Sequence, residues 1–395
     1  MKGCDSAMMS RFRFLTAGES HGRALTVIID GLPSGLPLDE DCIAAQLKRR
    51  QCGYGRGARM KLEQDRAEIL SGVRHGVSIG SPISLLIWNR DWENWKEVMS
   101  VSAPGKGGPR ITRPRPGHAD LAGATKYGLD DIRPVMERAS ARETAARVAA
   151  GAVARRFVAE LGVEIHSHTL AIGGECTEGP TAPDWQLVEE SPVRCADAGA
   201  ERAMTAAIDR AMASGDTLGG VSEVVAVGVP VGLGSHVQSD RRLDGAIAQA
   251  MMSINSVKGI EIGDGFKAAG LRGSEAHDVI EPAPGSRYPW RRPTNHAGGI
   301  EGGMSNGEAI TVRLAVKPIP TLGKPLPSVD LGTREATEAH FERSDVCVVP
   351  AVGVIAEAAL AVVLADAMLD KFGGDSLEET RRNCRSYLDS AQRRE

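Results

Sequence analysis

The stretch ERASARETAARVAAGAVARRFVAEL, residues 137–161, is the part of this chain that decides how it is built. It is rich in alanine, places apolar residues such as Val148 and Ala152 along its length, and is closed by Gly162, so it predicts one continuous helix with a glycine stop. Residues 163–169 follow as a β-branched run, the pattern of a strand. Working outward, residues 25–30, 83–88, 221–229 and 310–316 are runs of the same kind, bounded by glycine or proline. Helical segments near 39–50, 201–213, 243–254 and 352–372 alternate with them. The pattern predicts an α/β fold of layered sheets and helices.

Composition narrows the partners. With 395 residues, 46 glycines and 21 prolines, and no low-complexity linker, the chain reads as one domain over residues 13–395 behind a flexible N-terminal extension, residues 1–12. A net charge of −4 argues against general nucleic-acid binding, yet the arginines crowd before residue 160. A cationic pocket on an acidic protein suits a small anionic ligand. The seven cysteines form no CxxC pair, which predicts reduced thiols in a cytoplasmic protein and no metal site. Residues 348–369 are apolar enough to be mistaken for a membrane span. Pro350, Gly353, Glu357 and Asp366 within them favour a buried helix and no membrane partner.

Five polar constellations stand out. RPRPGHAD, residues 113–120, holds Arg115 and His118 on a loop stiffened by two prolines. TAGESHG, residues 16–22, sets His21 among small residues that allow close approach to a ligand, and a histidine is the side chain suited to donate a proton near neutral pH. Residues 49–60 carry four arginines, Arg49, Arg50, Arg56 and Arg59, around a glycine-rich loop. Guanidinium forks match carboxylate and phosphate oxygens in pairs. Arg138 and Arg142, four residues apart at the start of the long helix, share a face beside Ser140, either as an anion site or in a salt-bridge ladder with Glu137 and Glu143. Finally Ser344 and Asp345 precede the apolar helix as a cap or as a functional pair, and the glycines of residues 297–307 imply backbone laid against a bulky ligand without GxGxxG spacing.

In this order the segments resemble the chorismate synthases: FLTAGESHG, the RRQ and GYGRG run, GSPISLLI, TRPRPGHADLAGA, ERASARETAARVAAGAVA, SGDTLGG, SINSVKG, NHAGGIEGGMSNG, KPIPTL and RSDVCVVPA, from about residue 13 to 372. The resemblance implies a β-α-β sandwich unlike a Rossmann fold. It implies a homotetramer that converts 5-enolpyruvylshikimate 3-phosphate (EPSP) to chorismate by 1,4-anti elimination of phosphate, using reduced FMN without net redox change. NADPH or an external flavin reductase would supply the reduction, with NADP placed near Arg50 and Arg56.

By the same resemblance His21 protonates the leaving phosphate, His118 stands beside the flavin, and Asp345 helps to remove the C6 proton. Arg50, Arg56, Arg59, Arg115, Arg142 and Arg343 line the substrate. Arg138, Ala139, Ser140, Asn255, Ser256, Gly302, the run Lys317, Pro318, Ile319, Pro320 and Thr321, and again Arg343 hold FMN. Ala139 replaces a frequent serine, which leaves its backbone to do the binding, and His296 replaces a frequent asparagine. Two rival readings are a flavin-dependent NADPH oxidoreductase acting on an anionic small molecule and an RNA-binding protein using the basic loops.

Overall fold

The structure is a computed structural model that describes residues 11–57, 64–102, 110–177, 183–342 and 344–392. Arg59 and Arg343 lie outside the described residues, as does nearly all of the N-terminal extension. Phe12, assigned to that extension, is buried, and its backbone N–H donates to Asp366, so packed structure begins ahead of Arg13.

Two antiparallel sheets enclose a layer of helices. The first contains β1 (Arg13–Ala17), β2 (Ala24–Asp30), β3 (Ala67–Ser71) and β4 (Ile83–Trp88) in the order β1-β2-β4-β3. Its alternation is strict: Leu25, Val27 and Ile29 of β2, with Ile83, Leu85 and Ile87 of β4, are buried on one face. On the other face Leu15, opposite Ile28 across the β1–β2 ladder, is 76% exposed, Ile28 is 52% exposed, and Trp88 is 42% exposed. The second sheet contains β5 (Glu164–Ile172), β6 (Glu175–Cys176), β7 (Gly220–Val227), β8 (Val257–Ile262) and β9 (Ile310–Val316), ordered β8-β9-β7-β5-β6. Antiparallel pairing throughout both sheets sets this α+β sandwich apart from a parallel doubly wound fold.

In chain order the main helices are α1 (Glu40–Gln51), α2 (Asp120–Tyr127), α3 (Arg133–Ala139), α4 (Thr144–Ala159), α5 (Ala198–Ser214), α6 (Leu243–Met252), α7 (Val349–Phe372) and α8 (Leu377–Gln392). Helices α1, α4, α5, α6 and α7 contact strands of the sheets, whereas α2 and α3 pack on each other around a separate small core with Ile111. Of these, α4 and α7 form the central pair: α4 also meets β2, and α7 meets β5 and β7. Gly151 permits that pairing, because a Cβ there would lie 2.3 Å from the Cβ of Ala358. The apolar α7 is long enough to cross a membrane but is mostly buried against α4, α1, α6 and the second sheet, as a core helix is.

The single helix expected over residues 137–161 is broken. Ser140 adopts φ −61°, ψ 142°, a one-turn 3₁₀ segment spans Ala141–Glu143, and only then does α4 begin. A serine competes with the helical backbone through its own hydroxyl, and the Ser140 side chain accepts from the Arg142 N–H at 3.3 Å. Arg138 and Arg142 therefore do not share a face.

Candidate active site

The break at Ser140 is where the site is built. Arg142, swung inward by it, donates through Nη1 to both oxygens of buried Asp65 at 2.5 and 2.6 Å, and through Nε to Asn89 at 3.0 Å. Arg50, at the end of α1, enters from the other side: Nε donates to Thr144 Oγ1 at 2.9 Å and Nη2 to the Ala141 carbonyl at 3.0 Å. Its Nη1 makes no hydrogen bond among the described residues, standing 3.5 Å from Asp65 Oδ2. Burial, with Arg56 and Arg142 nearby and Asp65 opposing them, pushes the Arg50 guanidinium down to about 9. The group stays charged at pH 7, so the cost of that charge is one an incoming anion would relieve.

The glycine-rich loop docks onto the segment ahead of α7. Gly55 takes φ 79°, and a Cβ there would meet Ile208 at 2.8 Å. Asp345 holds the loop, accepting from the Gly57 N–H at 2.6 Å and lying 3.3 Å from Arg56. The helix itself starts at Val349 with Val348 as its first flanking residue, so Ser344 and Asp345 are not its cap.

On the proline-stiffened loop, Arg115 and His118 share one buried partner. Asp120 accepts from Arg115 Nε at 2.8 Å and lies 2.5 Å from His118 Nδ1. Burial opposes the charge on Asp120, but hydrogen bonds from His118 and Arg115 outweigh it and hold its carboxyl far below the usual range. Arg115 Nη1 also donates to Thr321 Oγ1 at 3.2 Å, and Ser344 Oγ donates to the Thr321 carbonyl at 2.8 Å, which ties this loop to the one that carries Asp345. Lys317 Nζ donates to the Gly117 carbonyl at 3.1 Å, and its ammonium is pushed down by burial and by Lys258.

His21 sits on the loop between β1 and β2, with Nδ1 3.0 Å from each oxygen of buried Glu137. The Trp95 ring stacks on its imidazole at 3.9 Å between centroids. Glu342 lies 3.5 Å from Arg115 Nη1 and 3.8 Å from His340 Nε2: burial raises its carboxyl, but His340, Arg115 and the nearby His21 hold it below its ordinary value. Ser140 Oγ donates to Ser20 Oγ at 3.2 Å beside them.

The structure thus brings together His21, His118, Asp345, Arg50, Arg56, Arg115, Arg142, Ser140, Lys317 and Thr321. Asn255 joins them by donating from Nδ2 to the Ala139 carbonyl at 3.0 Å, and Ser256 follows it at φ 70°, a strained left-handed conformation, with its carbonyl accepting from the Lys317 N–H. Arg138 instead faces the β1 end, donating to the Gly18 and Thr16 carbonyls at 2.9 and 3.2 Å. Gly302 lies on a hairpin that packs against the start of α6, where the Leu243 N–H donates to the Gly303 carbonyl. The described contacts do not bring Gly302 to the cluster.

Sequence reasoning gave no role to Asp65, Trp95 or Glu342, and gave Glu137 a place only in a ladder. Glu143 does pair with Arg147 along α4, but Glu137 turns to His21. Asp120, two residues beyond His118 at the start of α2, lies within the RPRPGHAD stretch, so its place beside the histidine was a legible signal.

Buried guanidiniums gathered with two histidines, each held by a buried carboxylate, are an arrangement suited to acid–base chemistry on an anionic group. The chorismate synthase family model matches residues 12–369, and the chain belongs to that family of carbon–oxygen lyases, EC 4.2.3.5. It is 57% identical to the chorismate synthase of Moorella thermoacetica over 95% of this chain and 98% of that protein. With that of Streptomyces avermitilis it shares 54% identity over 97% of this chain and 99% of the other. A solved structure titled "Crystal Structure of Chorismate Synthase" superposes with a TM-score of 0.78 at 42% identity, covering 96% of this chain and 98% of that one.

Proposed function

We propose that the enzyme eliminates phosphate from EPSP to give chorismate with FMN bound in its reduced form. The observation that carries this reading is the convergence of Arg50, Arg56, Arg115 and Arg142, all largely buried, on one region with two carboxylate-held histidines. EPSP carries two carboxylates and a phosphate, and each charge-assisted hydrogen bond to it would contribute about 1.5–3 kcal/mol. RNA is a poorer fit, since these arginines are buried rather than displayed on an exposed face.

The residues present also fit a phosphorylated flavin. Lys317, whose charge is penalised by burial and by Lys258, and Ser140 would hold the phosphate, with Asn255 and Ser256 beside them. Reduced FMN would supply electron density to the allylic system as phosphate departs. The chain's own part is to hold and move protons. The C6–H bond and the C3–O bond break, a second ring double bond forms, His21 gives its proton to the leaving phosphate, and Asp345 is the candidate to accept the one from C6. His118, fixed by Asp120, would set the charge beside the flavin. Arg50 and Arg56 face the substrate cluster, so NADP phosphates bound there would compete with EPSP.

For assembly we propose the homotetramer, in the cytoplasm, with the exposed apolar face of the first sheet, including Leu15, Ile28 and Trp88, covered by another copy. Ile28→Lys is expected to lower the mass seen by analytical ultracentrifugation; an unchanged mass would move the interface elsewhere. The test of function is anaerobic phosphate release from EPSP with dithionite-reduced FMN against oxidised FMN. Release with the reduced cofactor alone supports the elimination. Stoichiometric NADPH consumption with a reduced product would instead establish the oxidoreductase reading, and a reductase requirement would appear as activity with NADPH only when a flavin reductase is added.

A further inference from the structure

We infer that Glu137 is the positioning residue of His21: its buried carboxylate fixes the imidazole so that Nε2 is the nitrogen through which the proton leaves. The inference rests on the proposed role of His21 as the acid.

Glu137 is only 2% exposed and sits in the last turn of α3, just ahead of the Ser140 break. It holds His21 at two points and its neighbour Ser20 at a third. Its two carboxylate oxygens each lie 3.0 Å from Nδ1, its Oε2 accepts from the His21 backbone N–H at 2.8 Å, and its backbone carbonyl accepts from the Ser20 N–H at 3.1 Å. Ring and main chain are therefore registered on one residue. The imidazole face is closed by Trp95, stacked at 3.9 Å with 21° between planes, and Trp95 is anchored through Nε1 to Asp91 at 2.9 Å. Arg133 lies 5.4 Å from the same indole centroid and 3.6 Å from Glu137, so the carboxylate that holds the ring is itself held.

The chemistry follows from what a carboxylate can do. It accepts and does not donate, so Nδ1 must carry hydrogen wherever Glu137 is its partner. A ring flip would forfeit that bond and lose the stack. When the Nε2–H bond breaks and an O–H bond forms on the departing phosphate, the ring is left neutral with hydrogen on Nδ1, the tautomer Glu137 stabilises, and Glu137 takes up no proton. Carboxylates that orient a catalytic histidine act in this way in hydrolases on unrelated folds.

The test compares Glu137→Gln in the wild-type and His21→Ala backgrounds, using the full-length enzyme with reduced FMN and EPSP. The expected result is a fall in kcat of roughly 10²-fold in the wild-type background with KM little changed, Glu137→Asp recovering part of it, and no further loss in the His21→Ala background. An equal loss in both backgrounds, or none in the wild type, would overturn the proposal. A second measurement needs neither substrate nor the Glu137 variants: ¹⁵N chemical shifts of histidine-labelled wild-type protein, with His21 assigned by its absence in His21→Ala. Once the pH is raised far enough for His21 to lose its second proton, hydrogen on Nδ1 of the neutral ring is expected, and hydrogen on Nε2 of that neutral ring would overturn the proposal. If wild-type enzyme released no phosphate, the functional reading would fail while this tautomer result stood by itself.

Discussion

Arg49 and Arg50 are neighbours at the end of one helix, yet they serve opposite kinds of charge cluster. Arg49 turns toward α7, where Nη1 and Nη2 donate to the two oxygens of Glu357 at 2.6 and 2.9 Å, and toward Glu189. Arg155, Arg194 and Ser167 complete that group around Glu357. Burial opposes the Arg49 charge, but the two carboxylates outweigh it and raise its guanidinium above the ordinary value. Arg50 is pushed the other way, by burial and by other guanidiniums. In the first cluster Arg49, Arg155 and Arg194 all donate to Glu357, with Glu189 as a second carboxylate, and the group knits α1, α4, α7 and β5 together. In the other, Arg50 stands 3.5 Å from Asp65 and its Nη1 makes no hydrogen bond among the described residues, so its charge is left to be answered from outside. Density of arginine in the sequence therefore does not define a binding site. What defines it is whether the fold has already supplied the anions.

The largest effect expected on the open side is that of His21→Ala. Turnover should fall roughly 10²–10⁴-fold by loss of the acid, with FMN titration unchanged; undiminished phosphate release would remove His21 from the mechanism.

Next is Arg49→Met, which leaves Glu357 and Glu189 short of a partner. It should cost about 3–5 kcal/mol in urea unfolding, the range for breaking a buried pair, while kcat/KM of the folded protein stays as it was. Arg50→Met should do the reverse. Losing one charge-assisted contact of about 1.5–3 kcal/mol lowers kcat/KM for EPSP, yet the melting midpoint of the unliganded protein should hold or rise. If both substitutions destabilise equally, the two clusters are not different in kind.

The smallest effect concerns acid. Burial opposes the charge on Glu357, but Arg49, Arg155 and Arg194 hold its carboxyl below the ordinary value. Near that ordinary value the folded protein then binds fewer protons than the unfolded chain. The stability Glu357 contributes is thus complete above the unfolded carboxyl range and is lost as pH falls. The gap in urea midpoint between wild type and Glu357→Gln should be widest at pH 7 and narrow below about pH 4. A gap constant with pH would mean that Glu357 acts by packing alone.

Much of the frame was legible because it is written in local periodicity. The β-branched runs at residues 25–30 and 83–88 predicted the two inner strands of the first sheet, and α7 was readable from its apolar length and interior polar residues. The edge strands β1 and β3 escaped, since Arg13 and Glu68 interrupt any apolar run and only pairing with β2 and β4 makes them strands. In the site, His21, His118 and the substrate arginines were marked by motif and by resemblance. Glu137 and Asp65 were not, because a carboxylate near arginines reads the same in sequence whether it closes a surface ladder or orients a buried histidine.

What the sequence determined by itself was the family, the layered α+β architecture and the residue types suited to a small anion. The tertiary structure decided which arginine faces which cluster and where the long helix breaks. It also decided which carboxylate meets each histidine. Burial and distant partners decide most of this, 116 positions apart for His21 and Glu137 and 308 for Arg49 and Glu357, and no local pattern in the chain encodes a contact at that separation; the local exceptions are His118, whose partner Asp120 is two residues on, and the break at Ser140, where the serine bonds the Arg142 N–H.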